Sequence, residues 1–204
     1  MSECLKDIER EIMNCRKCEL WKYRTKCVPG EGREDAEVFL IGEAPGKEED
    51  RQGRPFVGNA GKLLNELLEI ANLKRGDVFI GNVLKCRPPN NRDPKPEEVE
   101  SCSPYLIRQL NVVKPKLIVC LGRYASSFVF DLFGLKFDGI GKERGKIRKV
   151  KAWNTVYVLP TYHPAAALYK PQLKEVLVED FRKIRDILKK DTLKKKTLLD
   201  FGIE

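Results

Sequence analysis

The stretch from Gly42 to Gly58, GEAPGKEEDRQGRPFVG, follows directly on the apolar run Val38-Phe39-Leu40-Ile41. Four glycines, two prolines and a cluster of charges are poor core material, yet they come straight after a short strand of the buried kind. Open α/β sheets hold their ligands at the carboxyl ends of strands, so this stretch reads as one wall of a site. A long surface turn is the plain alternative, and the rest of the chain decides between the two.

Outward from this loop, short apolar runs alternate with helical patterns. Residues 4 to 14 place Leu5, Ile8 and Ile12 on one helical face, and 37 to 42 form the first strand. Asn59 to Asn72 carries Leu63, Leu64, Leu67 and Leu68 at helical spacing, and the strand VFIGNV follows at 78 to 83. A helix over roughly 95 to 112 opens on Glu97 and Glu98, which suit its positive N-terminal end. Lys116 to Leu121 (KLIVCL) is a third strand, followed by a helix to about Leu132. Gly134 to Asn154 reads as an irregular loop or small hairpin, Thr155 to Pro160 as the fourth strand, and about 172 to 190 as the last helix. The alternation predicts an α/β fold, a parallel sheet covered on both faces by helices, in one domain over 1–190 with a flexible basic tail at 191–204.

At 204 residues and 42% hydrophobic, the chain can bury a full core. No apolar run is long enough to span a bilayer, and the charged amphipathic start is unlike a signal peptide, so an intracellular protein is expected. Lys and Arg number 39 against 30 Asp and Glu, a formal charge of +9 that favours a polyanionic partner or else serves as a solubilising coat. The 34% charged fraction also suits a hot habitat.

Seven cysteines make a complete disulfide framework an unlikely use, and metal binding a better one. Cys15 and Cys18 form a CxxC flanked by Arg16 and Lys17, and Cys86 and Cys102 follow the second strand. Four such thiolates suit tetrahedral zinc or an iron–sulfur cluster, and spacing does not choose between them. Cys4 and Cys27 stand as alternates, whereas Cys120 inside KLIVCL reads as a small core residue.

His163 is the only histidine, and it sits just past the fourth strand before Pro164. In a parallel sheet His163, Asn82 and the loop carrying Phe56 share one end, which brings together a hydrogen-bond donor, a bidentate amide and an aromatic platform. Read together, GEAPGKEEDRQGRPFVG, GNVLKCRPP, a downstream Cys and YHPAAAL resemble the signature set of the family-four uracil-DNA glycosylases, the thermophile-type enzymes with an iron–sulfur cluster. The resemblance covers about residues 12 to 188.

This resemblance implies a three-layer α/β/α sandwich on a four-stranded parallel sheet, and a monomeric DNA repair enzyme that flips uracil out of the duplex and hydrolyses its glycosidic bond. It implies one structural 4Fe-4S cluster on Cys15, Cys18, Cys86 and Cys102. Phe56 and Asn82, with Gly42, would bind the base, and His163 would donate to a uracil carbonyl oxygen as negative charge grows there. Where related glycosylases carry a water-orienting Asp or Asn, this chain has Glu43-Ala44, so the water falls to the Ala44 backbone, Glu43 or Glu49. The family continues after HPAA with apolar residues and an Arg for the minor groove. Here Leu168, Tyr169 and Lys170 stand there, as wedge, stacking group and phosphate contact. In the tail, Lys195, Leu198 and Phe201 loosely resemble a sliding-clamp-binding peptide. Two readings of other classes compete: a redox carrier centred on the cluster, and a nucleic-acid-binding module without catalysis.

Overall fold

Apolar runs that are hydrophobic on both sides form the centre of the molecule, because each such strand must be covered by helices on either face. The structure, a computed structural model, describes residues 3–200, with side chains from residue 3 to residue 189. Its elements in chain order are α1 (Leu5–Met13), β1 (Glu31–Gly32), β2 (Val38–Gly42), α2 (Lys47–Gln52), α3 (Asn59–Ile70), β3 (Phe79–Asn82), α4 (Pro96–Val113), β4 (Leu117–Leu121), α5 (Arg123–Leu132), α6 (Ile140–Glu143), β5 (Arg148–Lys151), β6 (Thr155–Thr161), α7 (Pro164–Tyr169) and α8 (Leu173–Asp200).

The sheet order is β1-β3-β2-β4-β6-β5. Its four inner strands are parallel, with Gly42 level with Asn82, Ile41 with Cys120 and Leu121 with Thr161. The expected four-stranded sheet needs correction at its edges: β1 and β5 add antiparallel strands, making six in all. Both are short, and the β5 run RKVK has only Val150 buried, so neither carries the apolar run by which the inner strands are recognised. The chain places β3 on one side of β2 and then crosses to place β4 on the other. The carboxyl ends of β2, β3 and β4 therefore surround a topological switch point, where open sheets of this kind hold ligands.

Alternation along the strands sends side chains to two cores. Leu40, Ile80, Val119 and Leu159 meet Leu64, Leu67 and Phe181 from α3 and α8 on one face. Phe39, Ile41, Ile118, Cys120 and Val158 meet Leu106, Leu110, Val129 and Phe130 from α4 and α5 on the other. Each such fully buried Leu, Ile or Phe contributes about 1.5–3 kcal/mol, which holds the strand ends rigidly enough to carry a site. A satellite cluster packs Ile8 and Ile12 of α1 against Leu20, Leu84, Cys86, Cys102 and Tyr105.

The last helix continues to Asp200, past the end expected near residue 190, because the segment holds good helix formers and no glycine or proline before Gly202. The side chains of Lys195 and Leu198, and residue Phe201, lie outside the described residues. Among the described residues no helix is long and apolar enough to cross a membrane.

Candidate active site

The loop leaving β2 is held by side chains that close it onto itself. Glu49 Oε1 accepts from the backbone N–H groups of Val57 and Gly58, both at 2.9 Å, and Oε2 accepts from Gly46 at 3.1 Å. With three backbone donors on its two oxygens, Glu49 braces the loop. At the far end of the same loop Phe56 is buried with a positive φ of 48°, a strained setting for a non-glycine residue. Two contacts enforce it. Arg75 donates to the carbonyls of Pro55 and Phe56, and Gly61 of α3 lets the Phe56 carbonyl approach to 1.9 Å of where a Cβ would stand. Gly42 is needed for a related reason, since a Cβ there would lie 2.3 Å from Asn82 Oδ1 and 2.8 Å from the Phe56 ring.

These residues face a cavity of about 290 Å³ lined, among others, by Glu43, Ala44, Glu49, Phe56, Asn82 and His163. A cavity of this size suits one flat heterocycle. Asn82 closes β3 with its side chain 2% exposed, and its Oδ1 has no hydrogen-bond partner. A buried acceptor left unpaired is costly, so it marks a place where a ligand donor belongs. The rings of Phe56 and His163 are stacked, with centroids 5.5 Å apart and planes at 27°.

His163 caps α7, its Nδ1 accepting from the Ala165 N–H at 3.1 Å. That bond fixes the tautomer: the proton of the neutral ring is on Nε2. Burial lowers the imidazole to about 4, against a weaker opposing pull from Glu49, so the ring is neutral at physiological pH. Glu43 differs from Glu49. Among the described residues its carboxylate has no hydrogen-bond partner, and burial raises it to about 7, with Asp93 adding to the shift and Arg123 opposing it. Ala44 lines the cavity with a methyl group only.

Other lining residues carried no recognisable signal in the sequence. Pro88, Asn91 and Arg92 also line the cavity, with Asn90 and Asn91 both at positive φ and Arg92 held by two bonds to the buried Glu98. The Pro- and Asn-rich composition marked that segment as a loop, and only the fold brings it to the cavity. Lys85, which does not line this cavity but donates to the Asn82 carbonyl, was equally silent. Leu168 and Tyr169 end α7, five and six residues beyond His163, and are 48% and 86% exposed, with Lys170 exposed beside them.

Cys15, Cys18, Cys86 and Cys102 line one small cavity together with Ile12, Leu20, Trp21 and Tyr105. The elements that bring them there are the turn after α1, the exit of β3 and α4. Arg24 donates to Cys86 Sγ at 3.3 Å and to the Cys15 carbonyl at 3.0 Å, and the Lys85 N–H lies 3.2 Å from Cys102 Sγ. Burial raises Cys86 to about 11 and Cys102 to about 12, so these thiols need a metal centre to ionise. Among the described residues no three Cys, His, Asp or Glu side chains converge closely enough for a single metal ion. The four cysteines nevertheless line this one space, and four thiols are a donor set that suits either tetrahedral zinc or an iron–sulfur cluster. Of the alternates, Cys4 bonds Asp7 at the start of α1, whereas Cys27 is buried in the same cluster as Cys86 and Cys102 with its Sγ donating to Met13 Sδ at 3.1 Å, although it does not line the small cavity. Cys120 is a fully buried core residue.

An aromatic ring, an orphaned amide acceptor and a neutral imidazole at a sheet's switch point are the features of a site for a planar, hydrogen-bonding heterocycle. The family model described as the uracil DNA glycosylase superfamily matches residues 29–189. A type-4 uracil-DNA glycosylase of Archaeoglobus fulgidus is 56% identical over 98% of this chain and 99% of its own length. Those of Sulfurisphaera tokodaii (53%, over 91% and 85%) and Thermotoga maritima (41%, over 93% and 97%) are also similar. The chain belongs to the type-4 uracil-DNA glycosylases of this superfamily.

Proposed function

We propose that this protein excises uracil from DNA by hydrolysing the N-glycosidic bond of a flipped-out nucleotide, leaving an abasic site. The observation that carries this reading is the pairing of His163, whose Nδ1 is occupied so that Nε2–H is free, with the unpartnered Asn82 Oδ1 in one cavity. Uracil offers N3–H to Asn82 Oδ1 and O4 to the amide nitrogen. Cytosine offers an unprotonated N3 and an amine, and so fails on both. Phe56 stacks on the base, and flipping is required because the bond is inaccessible within the stack.

When the C1′–N1 bond breaks, its electron pair stays on the base and spreads to the carbonyl oxygens. His163 Nε2–H donates there, a contribution of about 2.7–4 kcal/mol for a donor of this kind. The sugar, with oxocarbenium character, takes a water oxygen at C1′, and the water proton passes to Glu43. Glu49 is the weaker candidate for that task, because three backbone donors already use its two oxygens.

Cys15, Cys18, Cys86 and Cys102 would hold one 4Fe-4S cluster. When bound, the cluster supplies a covalent staple between the N-terminal turn, the β3 exit and α4. Leu168 and Tyr169 wedge the duplex while Lys170 and the net charge of +9 meet phosphate. The enzyme acts as an intracellular monomer suited to high temperature, and the segment with Lys195, Leu198 and Phe201 engages a sliding clamp, which co-elution with a clamp and its loss on truncation at residue 190 would test. For the activity itself, an oligonucleotide with a single uracil should acquire an alkali-labile site and a thymine control should not. No release at any temperature tested refutes the reading.

A further inference from the structure

We infer that Lys85 is a positioning residue for base recognition, whose buried ammonium fixes the main chain of Asn82 and through it the amide that faces the base. This rests on the reading of Asn82 given above. Lys85 is the only buried lysine among the described residues, at 2% exposure. Its Nζ donates to the Asn82 carbonyl at 2.9 Å and to Gln109 Oε1 at 2.7 Å, and Gln109 in turn donates to the Pro29 carbonyl at 2.8 Å. Among the described residues no carboxylate pairs with it.

Both hydrogen-bond acceptors of the Lys85 ammonium are neutral, and the one opposite charge recorded near it is the Cys102 sulfur, so burying the ammonium carries a desolvation cost that an apolar side chain of similar length would avoid. What the ammonium adds is position. Its own backbone is anchored on both sides, the N–H toward Cys102 Sγ at 3.2 Å and the carbonyl accepting from the Val28 N–H at 2.8 Å. From that fixed point the side chain reaches back to the last residue of β3. Asn82 needs such help, because its Oδ1 has no partner of its own to hold the amide in place. Lys85 thus supplies through the main chain the rigidity that the unliganded side chain lacks.

The test is a double-mutant cycle between Lys85→Met and Asn82→Ala, read as single-turnover uracil release, with melting temperature measured alongside. Lys85→Met should lower kcat/KM by about 10- to 100-fold, the worth of a hydrogen bond from a charged donor, while adding no further loss in the Asn82→Ala background. The same factor lost in both backgrounds, or no loss in either, overturns the inference. If Asn82→Ala itself retains full activity, the base-reading role of Asn82 fails instead, a result separable from failure of Lys85 alone. Gln109→Met removes only the second acceptor and should give a smaller loss, likewise absent without Asn82. A readout free of any variant's folding is lysine 15N NMR of the wild type. The slowly exchanging ammonium signal of Lys85, assigned by its loss in Lys85→Met, should shift on saturation with free uracil, and an unmoved signal overturns the inference.

Discussion

Replacing Gly42 by alanine is the smallest change that reaches at once both side chains proposed to bind the base. The new methyl would stand 2.3 Å from Asn82 Oδ1 and 2.8–2.9 Å from two carbons of the Phe56 ring. Ordinary contact lies beyond 3.4 Å, so the amide or the β2 end must give way by about 1 Å, and the ring by somewhat less. Phe56 has little freedom to move, since Arg75 and Gly61 hold its backbone in a strained conformation. Overpacking of this kind costs about 1–3 kcal/mol of stability, which a core of this size tolerates. A misplacement of about 1 Å at a reacting site costs on the order of 100-fold in rate. Gly42→Ala should therefore remain folded and lose about two orders of magnitude in single-turnover uracil release, with free uracil binding weakened in parallel. Gly76→Ala serves as the control, because nothing lies within 4 Å of a Cβ there. A Gly42→Ala enzyme within about twofold of wild type in kcat/KM would refute the proposed placement of the base between Asn82 and Phe56.

The rate of the chemical step should rise with pH through about 7, because burial raises the Glu43 pKa and in the proposed mechanism its carboxylate takes the water proton. Glu43→Gln should abolish that limb, and a wild-type profile flat between pH 6 and 8 contradicts the assignment. Glu49→Ala strips the partners from three backbone N–H groups, so it should lower stability by at least the roughly 1.5–3 kcal/mol of one charge-assisted bond. It should also slow excision by loosening Phe56; an undiminished melting temperature counts against the brace. Cys102→Ala should remove the visible iron–sulfur absorbance of the purified protein and lower its melting temperature by about 5–15 °C, if the cluster acts as a cross-link. A colourless wild-type protein with these four thiols free to react excludes the cluster.

The inner strands were legible because strands buried on both faces have to be apolar throughout, as Val38–Ile41 and Leu117–Leu121 are. The edge strand RKVK was not, since half-exposed edge residues resemble a loop. Leucine spacing announced α3, and the placing of Asn82 and His163 at strand ends followed from a parallel sheet alone. What depended on contacts between distant residues stayed hidden. Glu43 and Glu49 lie six residues apart in one loop and look interchangeable in sequence, yet backbone N–H groups from residues 46, 57 and 58 converge on Glu49 and none on Glu43. The His163 tautomer depends on how α7 turns Ala165 back onto the ring, which no residue pattern records. Spacing left six candidate cysteines, and only the fold shows that Cys15, Cys18, Cys86 and Cys102 line one cavity while Cys4 bonds Asp7. Lys85 and Gln109 meet only because α4 crosses beneath β3, so nothing local marked either.

The most direct test of the central claim is single-turnover release of uracil by wild type and His163→Ala, with DNA affinity measured on the same oligonucleotide. Wild type should release uracil and leave cytosine and thymine in place. His163→Ala should slow release by about 100- to 1,000-fold with affinity little changed, as expected for a donor that acts where charge develops. Equal losses in release and affinity, or no uracil release by wild type, would contradict the account.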